Sequence, residues 1–193
     1  MKFEPEQQHR RSLRLAGYDY TQQGAYFVTI CVKRKRAAFG QIDNGVMQLN
    51  RYGRMVQEEW DLLSERYDYV TLDEFVIMPN HIHLIIVICD VGAGSSRPDA
   101  PSLGREDPAP TSRHTLGQIL AYFKYQSTKR VNAYRAEQNL APVQIWQRNY
   151  FERIIRDEKE LDATRRYILE NPLCWNDDAE NPAKLKNSAQ TIN

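Results

Sequence analysis

The run FVIMPNHIHLIIVI, Phe75 to Ile88, constrains this chain more than any other stretch. Its β-branched and aromatic residues favour a pleated, buried surface. Pro79-Asn80 in its middle is turn chemistry. A bilayer-spanning helix takes about 20 apolar residues, and this run is shorter and broken by Pro79, Asn80 and two histidines. It therefore reads as two strands, YVTLDEFVIM and HIHLIIVI, in an antiparallel pair. Both are apolar on both faces near their middles, which predicts central strands covered by helices on one side.

The flanking sequence supplies partners for that pair. AYFVTICVK, Ala25 to Lys33, reads as another strand, and Asn44-Gly45 between two short semi-apolar pieces is a strong hairpin signal. From Arg51 to Tyr67, apolar residues fall at Tyr52, Met55, Val56, Trp60, Leu63 and Tyr67, giving one helical face. A second helix is read from Thr115 to about Glu137, with Leu116, Ile119, Leu120, Phe123 and Val131 inward and Lys124, Lys129 and Arg130 mostly outward. VQIWQRNYFERIIR reads as a final strand and DEKELDATRRYILENP as a final helix, with acids at its start and Pro172 at its stop. The order predicts an α+β fold: a ferredoxin-like βαββαβ core with an antiparallel sheet, an inserted hairpin and an added C-terminal helix. Such a core hosts many functions and decides none.

Residues 1–20 read as a polar arm, 21–175 as one domain and 176–193 as a loose tail, and no internal repeat is visible. Within the domain, Asp90 to Ser112 is dense in Gly, Pro, Ala, Ser and Asp, and a flexible insertion is expected over 90–112. Lys and Arg number 26 against 25 Asp and Glu, so net charge points to no polyanion partner. The distribution does: Lys33, Arg34, Lys35 and Arg36 run together, and Arg113, His114, Lys124, Lys129, Arg130 and Arg135 gather later. Cys31, Cys89 and Cys174 are odd in number and far apart, which suggests neither a disulfide framework nor a thiolate zinc site. A polar N-terminus without a signal segment and a default reducing compartment make a soluble, cytoplasmic protein the expectation.

His81 and His83 are two apart in a strand, so they share one face of the sheet and can converge on one ion, while Ile82 points the other way. The alternative is a pair of neutral histidines satisfied by backbone or water. Their place at a strand start beside a turn predicts a shallow site open to solvent. Two imidazoles with open positions suit a divalent cation such as Mg²⁺ or Mn²⁺ acting as a Lewis acid better than a closed structural zinc.

Four blocks in order, NHIHLIIVI, FKYQSTKRVN, WQRNYFERIIRDEKEL and RRYILENPLCW, resemble the single-tyrosine HUH transposase superfamily, and most closely its REP-associated tyrosine transposase branch. The resemblance covers about Gly17 to Trp175. It implies that His81 and His83 bind a catalytic metal and that Tyr167, on a helix before Asn-Pro, cleaves single-stranded DNA. Asn171, one turn after Tyr167, resembles the family's third metal ligand; it reads equally well as a helix C-cap before Pro172. Among eleven tyrosines, Tyr125 on the basic helix and Tyr150 in the last strand are the rivals. Two departures stand out: Arg153 replaces a histidine found in many relatives, and the Pro-rich insertion alters the strand-to-helix spacing.

The resemblance implies a metal-dependent endonuclease and strand transferase acting on hairpin-containing, REP-like palindromic DNA through a 5′-phosphotyrosine. Lys33, Arg34, Lys35, Arg36, Lys124, Lys129 and Arg130 are the expected DNA contacts, with a solvated charged face as the alternative. A non-catalytic single-stranded nucleic-acid module and a metal nuclease that uses water are the competing readings. Monomer and homodimer are equally open.

Overall fold

The computed structural model describes residues 23–89, 114–178 and 180–181. The arm at 1–20, the insertion at 90–112 and the last part of the tail lie outside the described residues. In chain order the elements are β1 (Gly24–Cys31), β2 (Gly40–Asp43), β3 (Val46–Leu49), α1 (Arg51–Asp61), α2 (Leu63–Arg66), β4 (Val70–Ile77), β5 (His81–Ile88), α3 (Leu116–Glu137), β6 (Phe151–Ile155) and α4 (Glu158–Glu170). Short 3₁₀ turns occupy Lys33–Lys35 and Trp175–Asp177.

The main sheet has the order β4-β5-β1-β6, and each neighbouring pair is antiparallel. With the β2–β3 hairpin set aside, the third core strand lies between the first and second and the fourth lies outside the first, which is the expected βαββαβ arrangement. Asn44 and Gly45 both take positive φ, 50° and 77°, as a two-residue hairpin turn matched to strand twist requires. Asn50 caps α1 by accepting from the Tyr52 and Gly53 amides.

Strand alternation sorts side chains onto two faces. Tyr26, Val28, Ile30, Ile82, Leu84, Ile86 and Ile88 meet α1 and α3 in the larger core, through Met55, Val56, Trp60, Leu116, Ile119, Leu120, Phe123 and Val131. On the other face Ile85, Ile155 and Ile168 form a smaller cluster that seats α4. The sheet is thus covered on both faces rather than one. The pair β4–β5 is also not wholly central: β5 is interior, but β4 is an edge strand.

Three other expectations are corrected. The helix read over Arg51 to Tyr67 breaks at Leu62 into α1 and α2, because the chain turns there while Leu63 and Tyr67 stay buried. The long final strand shrinks to Phe151–Ile155. Before it, Trp146 is drawn into the core, where its indole donates to the buried Ser127 hydroxyl at 2.9 Å and only a lone bridge to Val32 remains. The start of the supposedly loose tail is folded down: Asn181 is buried and donates to the Trp175 carbonyl, and Glu180 accepts from Lys35.

Helix α4 is held at two points. Ile168 is fully buried against Ile85 and Ile155. The Arg165 guanidinium donates twice to Asp73, at 2.9 and 2.6 Å, where β4 departs from regular pairing between Leu72 and Phe75. This bidentate fork fixes orientation as well as position. Ile168→Ala empties part of a small core that has few other members, and a loss of about 2–5 kcal/mol in stability is expected from urea denaturation.

Candidate metal and tyrosine site

Because β5 alternates, His81 and His83 point to the α4 side of the sheet, opposite Cys31 and Thr29 of β1. Their Nε2 atoms lie 3.0 Å apart. The expectation of a shallow, solvent-open pair is corrected: His81 is 0% and His83 5% exposed. The C-terminal segment covers them, with the Trp175 ring near His81 and Asp178 Oδ2 at 3.7 Å from His81 Nε2.

The far ring nitrogens fix what the near ones can do. Asn80 uses its amide NH₂ to donate to the carbonyls of Glu180 and Lys35, at 2.7 and 3.2 Å. Its Oδ1 therefore faces His81 Nδ1, at 2.9 Å, and that nitrogen carries the proton. His81 Nε2 is left with a lone pair. His83 Nδ1 has the Thr29 hydroxyl at 2.8 Å, which can accept its proton and free the second Nε2 in the same way.

Burial drives both imidazoles neutral. It lowers His81 from 6.5 to about 4, with a smaller opposing effect from Glu180 and a smaller reinforcing one from Lys35. It holds His83 well below the usual histidine range, and a proton on the adjacent His81 would lower it further. The 3.7 Å approach of Asp178 is thus a carboxylate beside a neutral ring, not an ion pair. His81, His83 and Asp178 each offer one ligand atom, all within 4.8 Å of one another, and so can hold a metal ion. Two neutral imidazoles and a carboxylate are a suitable donor set for a divalent cation. Cys31 is unsuited to ligation as a thiolate, since burial first and then Glu180 push it up to about 11.

Tyr167 reaches this cluster from α4. Its hydroxyl lies 3.5 Å from His83 Nε2, and its ring meets Phe27 edge-on, while Phe27 in turn stacks on His83. The phenol is 49% exposed, so it is reachable from solvent although the histidines are not. Partial burial raises its pKa, Asn171 pulls the other way, and Asp178 adds to the rise. Asn171 occupies the α4 C-cap by its backbone, yet its side chain is buried and among the described residues Oδ1 has no hydrogen-bond partner. Asn171 thus ends α4 by its backbone, as the cap reading expects. Tyr125 lies on α3, across the sheet, and Tyr150 packs against the larger core.

The basic residues divide. Lys33, Arg34 and Arg36 line a cavity of about 510 Å³ with Arg135 and Tyr52. Lys33 is bonded to Gln144, and Lys35 pairs with Glu180 at 3.0 Å. Helix α3 packs on the face opposite the histidines, so its cations do not join the cluster. Lys124 donates to the carbonyls of Gln147 and Arg148, and burial lowers it to about 8. Arg130 pairs with Glu58 and Glu59, which leaves Lys129 as the exposed cation of that group. Asp178, Asn80 and Thr29 were not found by sequence reasoning. Asn80 was read only as a turn residue, and no periodicity marks Asp178.

No family model matches the chain. A Haemophilus influenzae protein described as "Uncharacterized protein" is 41% identical over 170 residues, covering 88% of this chain and 92% of that protein. A second protein from that organism, described as "Putative REP-associated tyrosine transposase", is 24% identical over 160 residues, 80% of this chain and 73% of its own length. Among solved structures, a REP-associated tyrosine transposase bound to a REP hairpin is 17% identical, with a TM-score of 0.49 over 81% of this chain and 70% of that one. Among the described residues no helix is long and apolar enough to cross a membrane.

Two measurements follow from the buried pair. In metal-free protein the folded His81 value near 4 lies below the ordinary 6.5, so the unfolded chain takes the proton first as pH falls. The contribution of this group is complete above about pH 6.5 and is lost on descending through about pH 4, so urea midpoints in EDTA are expected to drop across that window. His81→Gln should flatten the slope; an unchanged slope assigns it to other groups. Separately, Asn80→Ala removes the acceptor that sets the His81 tautomer, and calorimetric titration with Mn²⁺ is expected to show affinity weakened about 10–100-fold.

Proposed function

We propose that this chain, which belongs to one family with the Haemophilus influenzae protein 41% identical to it over 170 residues, is a metal-dependent enzyme that cuts and rejoins single-stranded DNA through Tyr167, a reading supported by its similarity to a protein described as a REP-associated tyrosine transposase and by the clustered site. The observation that carries this reading is the 3.5 Å approach of the Tyr167 hydroxyl to His83 Nε2, on a pair whose lone pairs converge.

A phenol with a pKa of about 10 is a poor nucleophile at neutral pH. Here burial raises it further, so the hydroxyl cannot ionise unaided. A bound Mg²⁺ or Mn²⁺ supplies the positive charge that favours phenolate and polarises a phosphate oxygen. His81, His83 and Asp178 would hold it, with Asn171 Oδ1 as a further neutral donor.

Tyr167 Oη attacks the phosphorus, a phosphotyrosine ester forms at the 5′ side, and the bond to the 3′ oxygen breaks. That oxygen takes up a proton and leaves as a free 3′-hydroxyl, while the phenol proton departs to solvent from a half-exposed position. The ester keeps the bond energy, so a second 3′-hydroxyl can reverse the step without a nucleotide cofactor. The substrate class is DNA carrying a hairpin next to an unpaired stretch. Arg34, Arg36 and Arg135 around the cavity beside the first basic cluster would meet its phosphates.

The test is removal of one oxygen. Tyr167→Phe keeps the ring against Phe27 and His83, so thermal stability and DNA affinity are expected to change little. The covalent protein–DNA band on a denaturing gel and strand cleavage should both vanish, as they should with EDTA. Tyr125→Phe and Tyr150→Phe should retain the band. Cleavage by Tyr167→Phe with a free 5′-phosphate would make water the nucleophile.

A further inference from the structure

Helix α4 lies mainly over β4 and β5, so the same face of the sheet is left partly bare over β1 and the edge strand β6. A cleft of about 430 Å³ opens there, lined by Phe27, Phe151, Arg153, Ala163, Thr164 and Tyr167, and by Glu152, which register turns toward the other face with Val28. Register puts Phe27 opposite Arg153 and Thr29 opposite Phe151, so the β6 side chains Phe151 and Arg153 point to the α4 side. Phe151 is 51% and Tyr167 49% exposed. Two half-exposed rings on the walls of one cleft leave aromatic surface for a flat ligand to cover.

Arg153 supplies direction. Its Nη2 donates to Thr164 Oγ1 at 3.1 Å, its Nε lies 3.4 Å from Glu160 Oε1, and its guanidinium sits 5.9 Å from the Phe27 ring centre. The plane is therefore fixed by α4, and the five N–H donors of a guanidinium exceed these two partners. Phe27 also stacks on His83, at 5.4 Å between ring centres. One ring thus separates the cleft from the histidine pair.

We propose that this cleft binds one unpaired nucleobase of the strand cut by Tyr167, stacked on the aromatic walls and read by Arg153. A base offers both things the lining asks for: a π-face for the rings and edge acceptors for a guanidinium. The paired acceptors O6 and N7 make guanine the favoured base over adenine, whose N6 is a donor. Aromatic walls with a few polar groups and a volume of this order are usual for a small organic ligand. The proposal rests on the DNA-cleaving reading and adds which nucleotide that site selects.

The experiment uses full-length Tyr167→Phe protein, which leaves the probe intact, and a hairpin oligonucleotide with a randomised unpaired flank. Selected sequences should show guanine enriched at one flank position. An abasic residue placed there should weaken binding on the order of tenfold, the size of one base–aromatic stack. Adding Phe151→Ala or Arg153→Ala should erase that penalty, and Arg153→Lys should keep the charge but lose guanine over adenine. Persistence of the penalty in both alanine variants, or its absence at every flank position, overturns the pocket. If the penalty is present but wild-type protein forms no covalent band, the cleavage reading fails and the pocket stands. A band without any such penalty fails the pocket alone, and no binding to any probe fails both.

Discussion

The registration of β5 against β1 is the constraint on which the other features depend. Strand β5 is buried on two faces and β1 mainly on one, so each alternate β5 residue has a separate fate: Ile82, Leu84 and Ile86 fill the larger core, while His81, His83 and Ile85 face α4. A slip of one residue would drive two imidazoles into the aliphatic core and expose isoleucines to the site. The hydrophobic pattern that forbids the slip also sets Thr29 across from His83. Packing on one face thereby selects the hydrogen bond that orients the His83 imidazole on the other.

Burial has opposite consequences for the two kinds of ring. For the histidines it removes charge and leaves lone pairs, which is the state a cation requires. For Tyr167 it stabilises the protonated phenol, the less nucleophilic state. A cation placed between them would use the first effect and reverse the second. Beside these rings Asn171 Oδ1 is buried and, among the described residues, without a hydrogen-bond partner.

Sequence carried the parts of this arrangement that follow from period and from turn chemistry. Strand alternation put His81 and His83 together, helical spacing put Tyr167 and Asn171 one turn apart, and Asn44-Gly45 marked its hairpin correctly. What it could not carry were facts of tertiary closure. Asp178 and Glu180 sit in a polar stretch with no periodic signature, yet that stretch folds over the histidines because Asn80, Lys35 and Asn181 offer it hydrogen bonds. The same blindness produced the open-site expectation, since a strand start beside a turn is exposed only if nothing later in the chain covers it. Counting cations on α3 overlooked that Lys124 caps two carbonyls and Arg130 meets two glutamates. Charge pattern identifies where cations lie in sequence, not which of them already have partners.

The placement of α4 links these levels. Tyr167 stands between two anchors in the sequence, Arg165 on Asp73 and Ile168 in the smaller core, so its ring is confined from both sides. Asp73 is available as an anchor because β4 departs from regular pairing at that point. The irregularity is at the edge of the sheet farthest from β6. By drawing the helix toward that edge, it leaves Phe151 and Arg153 uncovered on the opposite one and directs the accessible side of the Tyr167 phenol toward them. The open cleft that Tyr167 lines therefore lies on the side of the sheet away from the irregular stretch of β4.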